Sequence, residues 1–212
     1  NFPHLAGTVD SFSGSDRDHA VLLDRMSKGE DWADALRPTE VALTPAACYG
    51  VYPVIASRGR LGAAGALVDV YTWCFRHEPS IDPARMQMFR QREHVRIGSR
   101  EQVSSFRALW LDRARTLVES LGLPASIEVA SDPFFGRAGK LLASSQREES
   151  LKFELLLPIV VEGPRTACVS FNDHHDLFGR AWAIETESGD TAHTACVGFG
   201  VERLTLALFR HH

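Results

Sequence analysis

Several segments of alternating polar and apolar residues surround one long helical pattern, and this arrangement limits the fold more than any other feature of the chain. Side chains of a strand point to opposite faces in turn, so such alternation indicates strands with one buried face. Four segments alternate in this way: 70–78, 88–97, 151–158 and 166–172. Strands grouped around a helix, without regular βαβ alternation, favour an α+β fold with a mostly antiparallel sheet.

The helix is predicted over residues 99–121. Ser99 and Gln102 form a capping-box pattern at its start, and apolar residues then recur at helical spacing. Gly122 and Pro124 follow the last apolar residue, as expected where a helix ends.

Composition places the chain among ordinary globular proteins. It has 212 residues, 44% of them hydrophobic, and a net charge of -4, so no global basic surface indicates nucleic-acid binding. No apolar run approaches the roughly 20 residues needed to span a bilayer, and no signal peptide is recognisable. Four scattered cysteines without a CxxC pair predict no disulfide framework, which favours a reducing cytoplasm. Because the chain begins at Asn1 in a structured-looking segment, we expect further residues upstream.

Two of the predicted strands place chemically useful side chains on one face. Arg76 and Glu78 share a face of the segment 70–78, and Phe89 and Glu93 share a face of the next strand. If residues 79–85 form the turn between antiparallel partners, this surface suits a polar ligand with a planar base. From the pattern alone, the alternative is that this strand face is exposed to solvent and carries one phenylalanine without a binding role.

The stretch CVGFGVER (196–203) joins a cysteine, two glycines and an arginine at the start of an apolar helix. It is not a phosphate-binding turn of the dinucleotide or P-loop kind, because Glu202 and Arg203 stand where glycine or lysine would be needed. An arginine in the first turn of a helix lies at the positive end of the helix dipole, which is unfavourable unless an anion binds nearby.

Taken in order, CFRHE (74–78), FRQRE (89–93) and GFGVERL (198–204) resemble motifs 2 and 3 of the class II aminoacyl-tRNA synthetases. FPHLAG, TPAACYGVYP (44–53) and LGLP extend the likeness to seryl-tRNA synthetase catalytic domains of the zinc-dependent archaeal type. The chain most resembles the amino acid:[carrier protein] ligases, truncated homologues that lack the tRNA-binding arm. The resemblance covers residues 1–212 and implies one class II synthetase-like catalytic domain, with a mostly antiparallel sheet flanked by helices.

The resemblance assigns an ATP site. Arg76 corresponds to the arginine on the α-phosphate, Glu78 to the acid that reads the adenine amino group, and Phe89 to the ring that stacks on adenine. Arg203 matches the arginine on the γ-phosphate, and Gly198 and Gly200 allow close approach of the backbone. A guanidinium fork suits the charge that develops at the α-phosphorus during adenylate formation.

The resemblance also implies two metals. Cys48, Glu93 and Cys196 match the family's zinc ligands, and three protein ligands leave a fourth position open for substrate. In the family the α-amino group of the amino acid takes that position. Cys74 and Cys168 are interpreted instead as small buried apolar residues. Magnesium is expected with ATP, and Glu154 is the nearest carboxylate match to the family's magnesium ligand.

Residues 136–150 are longer than the corresponding seryl-tRNA synthetase segment. In the carrier-protein ligases an extra helix here binds the partner, so Arg137, Lys140 and Arg147 are candidates for docking an acidic carrier helix. A solvated charged helix is the alternative interpretation. Motif 1, which forms the dimer interface in this class, would lie upstream of Asn1.

The function implied by the resemblance is ATP-dependent activation of glycine or alanine as an aminoacyl-adenylate, followed by transfer to the phosphopantetheine thiol of a carrier protein. The expected protein is a cytoplasmic homodimer that binds neither tRNA nor membranes. A seryl-tRNA synthetase catalytic fragment and a non-catalytic regulatory relative are the alternatives. The acidic charge disfavours the first, and the presence of both Arg76 and Arg203 disfavours the second.

Overall fold

In the computed structural model, residues 3–132, 140, 143–144, 147–160 and 162–212 are described. Within them, the strands are β1 (Gly7–Phe12), β2 (Leu36–Leu43), β3 (Ala66–Phe75), β4 (Met88–Gly98), β5 (Ser126–Val129), β6 (Lys152–Leu157), β7 (Thr166–Asp173) and β8 (His193–Gly200). The α-helices of five or more consecutive described residues are α1 (Asp16–Ser27), α2 (Val51–Ala56), α3 (Arg100–Ser120), α4 (Leu177–Ala181) and α5 (Val201–His211). Short 3-10 turns cover Pro3–Leu5, Ala33–Ala35 and Ala47–Gly50.

Strands β3 to β8 form an antiparallel sheet in the order β3-β4-β8-β7-β6-β5. Strands β1 and β2 pair with each other in a separate two-stranded sheet. The predicted α+β fold with a mostly antiparallel sheet is therefore confirmed. Neighbours β4 and β8 are far apart in sequence, so the sheet centre brings together residues about one hundred positions apart.

Helix α3 begins and ends as the sequence predicts. The Ser99 hydroxyl accepts a hydrogen bond from the Gln102 amide at 3.3 Å, and the Gln102 side-chain oxygen accepts one from the Ser99 amide at 3.0 Å. Gly122 follows the helix with a φ of +72°, in the left-handed region that glycine adopts without strain. The helix packs on β4, β7 and β8 through buried residues that include Val103, Phe106 and Val118.

Apolar clusters lie on both faces of the sheet. Helices α3 and α5 cover one face, where Leu155, Val169, Phe171 and Val197 are buried. The turn before α2, α2 itself and α4 cover part of the other face, where Tyr52 and Phe178 pack with residues of β4 and β8. The rest of this second face is open, and the functional side chains lie there.

The predicted strand over 70–78 is wrong at both ends. Strand β3 starts at Ala66 and ends at Phe75, so Arg76 and Glu78 lie in the loop that follows. The Arg76 amide still bonds to Gln87, but the His77 amide donates to the Leu5 carbonyl and the Glu78 amide to the Arg76 carbonyl. The ladder ends because these amides pair elsewhere, and Pro79 has no amide hydrogen to continue it.

The proposed docking segment 136–150 is described only in part. Lys140, Ala143, Ser144, Arg147 and Glu148 are helical, whereas Arg137 lies outside the described residues. Across the described part of the chain, no helix has the length and apolarity required to cross a membrane.

Candidate active site

Two neighbouring rows of residues across the sheet form the floor of the site. In the first row Glu154 pairs with Ser170, Ser170 with Gly198, and Gly198 with Glu93. In the second row Lys152 pairs with Asn172 and Asn172 with Cys196. Directly paired residues share a face, and so do residues two apart on one strand, so both rows point to the same side.

A cavity of about 640 Å³ lies above this floor, within the size range of small-molecule sites. Every residue assigned to ATP, zinc or magnesium lines it. The ten residues are Cys48, Arg76, Glu78, Phe89, Glu93, Glu154, Cys196, Gly198, Gly200 and Arg203. The structure therefore brings together residues from six separate parts of the chain. Their individual roles stay predictions.

Both predicted phosphate-binding arginines are anchored through backbone carbonyls. Arg203 donates from Nε to the Ala84 carbonyl at 2.7 Å and from Nη1 to the Ala167 carbonyl at 2.8 Å. Arg76 donates from Nε to the Pro45 carbonyl at 2.9 Å. Burial lowers the pKa of Arg203, but a guanidinium keeps its charge at neutral pH. Two oriented cations thus face one cavity, which is the arrangement that a polyphosphate requires.

The predicted adenine-stacking ring lies directly beside one of these cations. The Arg76 guanidinium carbon is 5.3 Å from the centre of the Phe89 ring, a cation–π distance. The next residue, Arg90, is bound to Glu202 of α5 through its backbone amide at 2.8 Å and through Nε at 2.6 Å. Glu202 therefore fixes the strand that carries Phe89 against the helix that carries Arg203.

The three predicted zinc ligands converge although they come from different elements. Cys48 lies in the turn before α2, Glu93 on β4 and Cys196 on β8. One ligand atom from each lies within 4.8 Å of the other two, and the residues are only 3–4% exposed. Glu93 Oε1 accepts a hydrogen bond from the Ala47 amide at 3.2 Å, whereas buried Oε2 has no hydrogen-bond partner within the described part of the chain.

The electrostatics of this trio favour a bound cation. The neighbouring Cys196 sulfur, together with burial and the Glu93 carboxylate, raises the pKa of Cys48 well above its ordinary value. The Cys48 thiol, with contributions from His174 and Asn172, holds the pKa of Cys196 well below its ordinary value despite burial. Burial and the neighbouring Cys196 sulfur raise the pKa of Glu93. Crowded buried acids with one orphaned oxygen fit a divalent metal with mixed sulfur and oxygen ligands.

Gly198 has a packing role beyond the predicted backbone approach to ATP. A Cβ atom at this position would lie 3.2 Å from Glu93 Cγ and 3.4 Å from the Ser170 hydroxyl oxygen. Any larger residue would therefore press on Glu93, a predicted metal ligand. At Gly200 the nearest atom to such a Cβ is the Cys168 carbonyl oxygen at 3.5 Å, an ordinary contact.

The structure adds polar residues that sequence reasoning did not assign. Lys152 lies in the cavity floor, nearly buried, with Nζ 2.6 Å from Asp132 and 3.1 Å from Glu154. Burial alone would lower the Lys152 pKa, but attraction to these carboxylates outweighs it and raises the pKa. His174, directly after β7, lies 3.8 Å from the Cys196 sulfur. Two consecutive histidines after a predicted strand were the only sequence signal for it.

Comparisons with known proteins give this constellation a family context. The chain is 47% identical over 212 residues to amino acid–[acyl-carrier-protein] ligase 1 of Bradyrhizobium diazoefficiens and 48% identical to ligase 2 of the same organism, and each match covers the whole chain. The chain is homologous to the amino acid–[acyl-carrier-protein] ligases. It spans 65% and 64% of the lengths of these two relatives. No protein-family model matches this ligase homologue.

More distant relatives are aminoacyl-tRNA synthetases. The type-2 serine–tRNA ligase of Methanocaldococcus jannaschii is 28% identical over 196 residues, which cover 82% of this chain and 35% of that protein. Among solved structures, the M. kandleri seryl-tRNA synthetase in complex with A. aeolicus tRNASec superposes with a TM-score of 0.78 at 23% identity. The match covers 100% of this chain and 44% of the synthetase chain. Prolyl-tRNA synthetase of Cryptosporidium parvum superposes with a TM-score of 0.66 at 16% identity. That match covers 98% of this chain and 38% of the synthetase chain. The ligase homologue thus has the class II synthetase fold.

Proposed function

We propose that this chain is the catalytic core of a ligase that activates a small amino acid with ATP and transfers it to the phosphopantetheine thiol of a carrier protein. The single observation that carries the proposal is the cavity, which holds the Cys48–Glu93–Cys196 trio and two anchored arginines together. The homologous ligases act, by name, on amino acids and acyl carrier proteins.

The first step joins amino acid and nucleotide. A carboxylate oxygen of the amino acid attacks the α-phosphorus, the bond to the β-phosphate bridging oxygen breaks, and pyrophosphate leaves. Arg76 stabilises the charge that develops at the α-phosphate, and Arg203 holds the departing end of the polyphosphate. Phe89 and Glu78 hold the adenine, so the reacting atoms meet in a fixed geometry.

Cys48, Glu93 and Cys196 would hold zinc, which would bind the α-amino group of the substrate in its unprotonated form. Glu93 and Cys196 belong to the two floor rows, and both arginines line the same cavity, so an amine held at the trio keeps the carboxylate in the space that the arginines face. Zinc analysis of the purified protein tests this step, and we expect about one equivalent per chain.

The second step passes the acyl group to sulfur. The phosphopantetheine thiolate attacks the carbonyl carbon of the adenylate, AMP leaves with the bonding electrons, and a thioester forms. A thiol is a good nucleophile once ionised and the adenylate is already activated, so this step needs no dedicated side-chain base.

Glycine or alanine is the substrate we propose, and crowding of the cavity floor supports a small side chain. Lys152 lies in the same row as Cys196, and its ion pairs with Asp132 and Glu154 occupy the space beyond Asn172. Glu154 stays the proposed magnesium ligand. Lys152 is also held by Asp132, so Glu154 can turn to a cation without leaving the lysine unpaired.

The test is amino-acid-dependent exchange of labelled pyrophosphate into ATP, followed by transfer of the labelled amino acid to one of two acceptors. We expect exchange with glycine or alanine and transfer to holo-carrier protein, with no transfer to the apo-carrier, which lacks the thiol. Efficient charging of tRNA would instead support the synthetase alternative, and no exchange with any amino acid would support the non-catalytic one.

We also propose that the protein is a homodimer. Sedimentation velocity measures this oligomeric state directly.

A further inference from the structure

His174 connects a proposed metal ligand to a buried hydroxyl. Its Nε2 lies 3.8 Å from the Cys196 sulfur, within hydrogen-bond reach of a sulfur acceptor. Its Nδ1 lies 3.1 Å from Oγ1 of Thr194, a residue with no exposed surface. Thr194 and Cys196 are two residues apart on β8, so the imidazole bridges two side chains on the same face of one strand.

The imidazole is held rigidly in this bridging position. The His174 amide donates to the Thr194 carbonyl at 2.9 Å, and the Thr194 amide donates to the His175 carbonyl at 2.9 Å. His175 itself has a φ of +50°, so the chain turns sharply directly after His174. Phe178 packs edge-on against the His174 ring at 4.9 Å between centres and Tyr52 at 6.5 Å, which restricts rotation of the ring.

The two contacts together determine which nitrogen carries the proton. A cysteine sulfur that binds a metal is a thiolate and can only accept hydrogen bonds. Since this sulfur has no hydrogen to donate, the hydrogen between the two groups must be on Nε2, and the tautomer in which Nδ1 accepts from the Thr194 hydroxyl fits both contacts. Asn172 supplies a second donor, with Nδ2 3.4 Å from the same sulfur.

We infer that the hydrogen-bonded chain from Thr194 through His174 to Cys196 orients and stabilises the Cys196 thiolate, and thereby sets the affinity of the zinc site. His174 is a positioning residue in this scheme, and Thr194 fixes its tautomer. The inference rests on the zinc site of the proposed function. Outer partners of metal ligands contribute on the order of 10- to 100-fold to metal affinity, so the effect is measurable without an activity assay.

The experiment measures the zinc dissociation constant of the full chain by competition with a chromophoric chelator. His174→Phe keeps the ring shape but removes the donor, and we expect its zinc affinity to fall roughly 10- to 100-fold. His174→Gln can still present an amide N–H to sulfur and should recover most of that loss. Thr194→Val keeps the shape of threonine without its hydroxyl and should weaken zinc binding, whereas Thr194→Ser should not. His193→Gln is the matched control, because His193 lies three residues from Cys196 on β8 and therefore on the opposite face of the strand.

Cobalt substitution supplies a spectroscopic readout that loss of packing alone would not produce. Removing an N–H···S bond changes the electron density on sulfur, so the sulfur-to-cobalt charge-transfer band should shift in His174→Phe and return towards the parental position in His174→Gln. If the parent and His174→Phe bind zinc equally tightly with identical cobalt spectra, this inference is overturned alone. If the parent binds no zinc, the proposed zinc site fails as well.

Discussion

At the scale of single residues, the cavity is organised by side chains that the backbone orients before any ligand binds. Backbone carbonyls hold Arg76 and Arg203, and the Ala47 amide holds one oxygen of Glu93. Groups fixed in this way need little reorganisation when charge develops at a reacting atom, which is the main source of electrostatic stabilisation in enzymes.

Replacing Cys196 with serine should remove zinc. The hydroxyl is a far weaker ligand than a thiolate, and the two remaining ligands are one fewer than the three of a zinc site with an open position. We expect loss of bound metal and of amino-acid-dependent pyrophosphate exchange, while ATP binding stays close to the parental value because the arginines are unaffected. Cys74→Ser is the control, since Cys74 is equally buried but contacts Gln91 instead of the trio. Active parental protein without zinc would contradict the prediction.

Removing either arginine should weaken transition-state stabilisation. Loss of one charge-assisted contact to phosphate costs about 3 kcal/mol, or roughly 10²-fold in rate. Arg76→Ala should act mainly on the chemical step, because its phosphate is the one attacked. Arg203→Ala should also lower the melting temperature, because Arg203 ties the Ala84 and Ala167 carbonyls together. Pyrophosphate exchange at the parental rate in Arg76→Ala would show that the assignment of Arg76 to the α-phosphate is wrong. Arg92→Ala is the control, because Arg92 forms a surface ion pair with Asp69.

At the scale of elements, strand β4 and helix α5 are joined by the Arg90–Glu202 pair. Glu202 binds both the amide and the side chain of Arg90, and its own side chain is mostly buried. Burial alone would raise the Glu202 pKa, but the hydrogen bonds from Arg90 outweigh it and lower the pKa. A carboxyl whose pKa is lower in the folded state stabilises the fold above its unfolded pKa and loses that contribution as the pH falls through the folded value.

Glu202→Gln should therefore destabilise the protein in a pH-dependent way. Hydrogen bonds to a charged group contribute about 1.5–3 kcal/mol, so we expect a loss of this order in the free energy of unfolding at pH 7. The difference between parent and variant should begin to shrink as the pH falls below the unfolded glutamate pKa of about 4.3, and should be lost once the pH is below the lower pKa of the folded carboxyl. Urea unfolding at pH 7, 5, 4 and 3 measures both quantities. An equal difference at every pH would contradict this origin, and the exposed substitution Glu40→Gln should leave the stability unchanged.

Elements with a strong local pattern were predictable from the sequence, and those defined by tertiary contacts were not. Helix α3 was predicted because its capping box and apolar spacing agree, and β4 was predicted over 88–97 and observed over Met88–Gly98. The end of β3 was missed because it depends on where the His77 and Glu78 amides find partners. Helix α1, which buries only Leu22, gave no clear apolar stripe to recognise.

At the scale of the whole molecule, the site depends on the order of the strands in the sheet. Cys48, Glu93 and Cys196 are dispersed in sequence, and only the β4–β8 pairing with the turn before α2 brings them within 4.8 Å. Spacing could not reveal such a trio, so its prediction rested on family resemblance. The contacts of His174 and Lys152 depend on the same assembly, and no local pattern pointed to them.

The partner prediction concerns the surface outside the cavity. Lys140 and Arg147 lie in helical parts of the segment 136–150, and Arg147 donates to the Ser131 hydroxyl at 2.8 Å. If this segment docks an acidic carrier helix, reversing the charge of Arg137, Lys140 and Arg147 together should slow transfer to the carrier protein roughly tenfold, because a surface ion pair contributes about 0.5 kcal/mol. Pyrophosphate exchange should stay unchanged, since adenylate formation is confined to the cavity.

The comparison that decides this prediction is salt dependence. Exposed charges are screened over roughly 10 Å at 0.1 M ionic strength, so added salt should slow the parental enzyme towards the rate of the triple variant and affect the variant little. Reversal of three other exposed arginines, Arg17, Arg58 and Arg115, keeps the same change in net charge and is the matched control. If that control slows transfer equally, net charge is responsible and not this segment. Unchanged transfer by the triple variant would leave 136–150 as a solvated helix without a docking role.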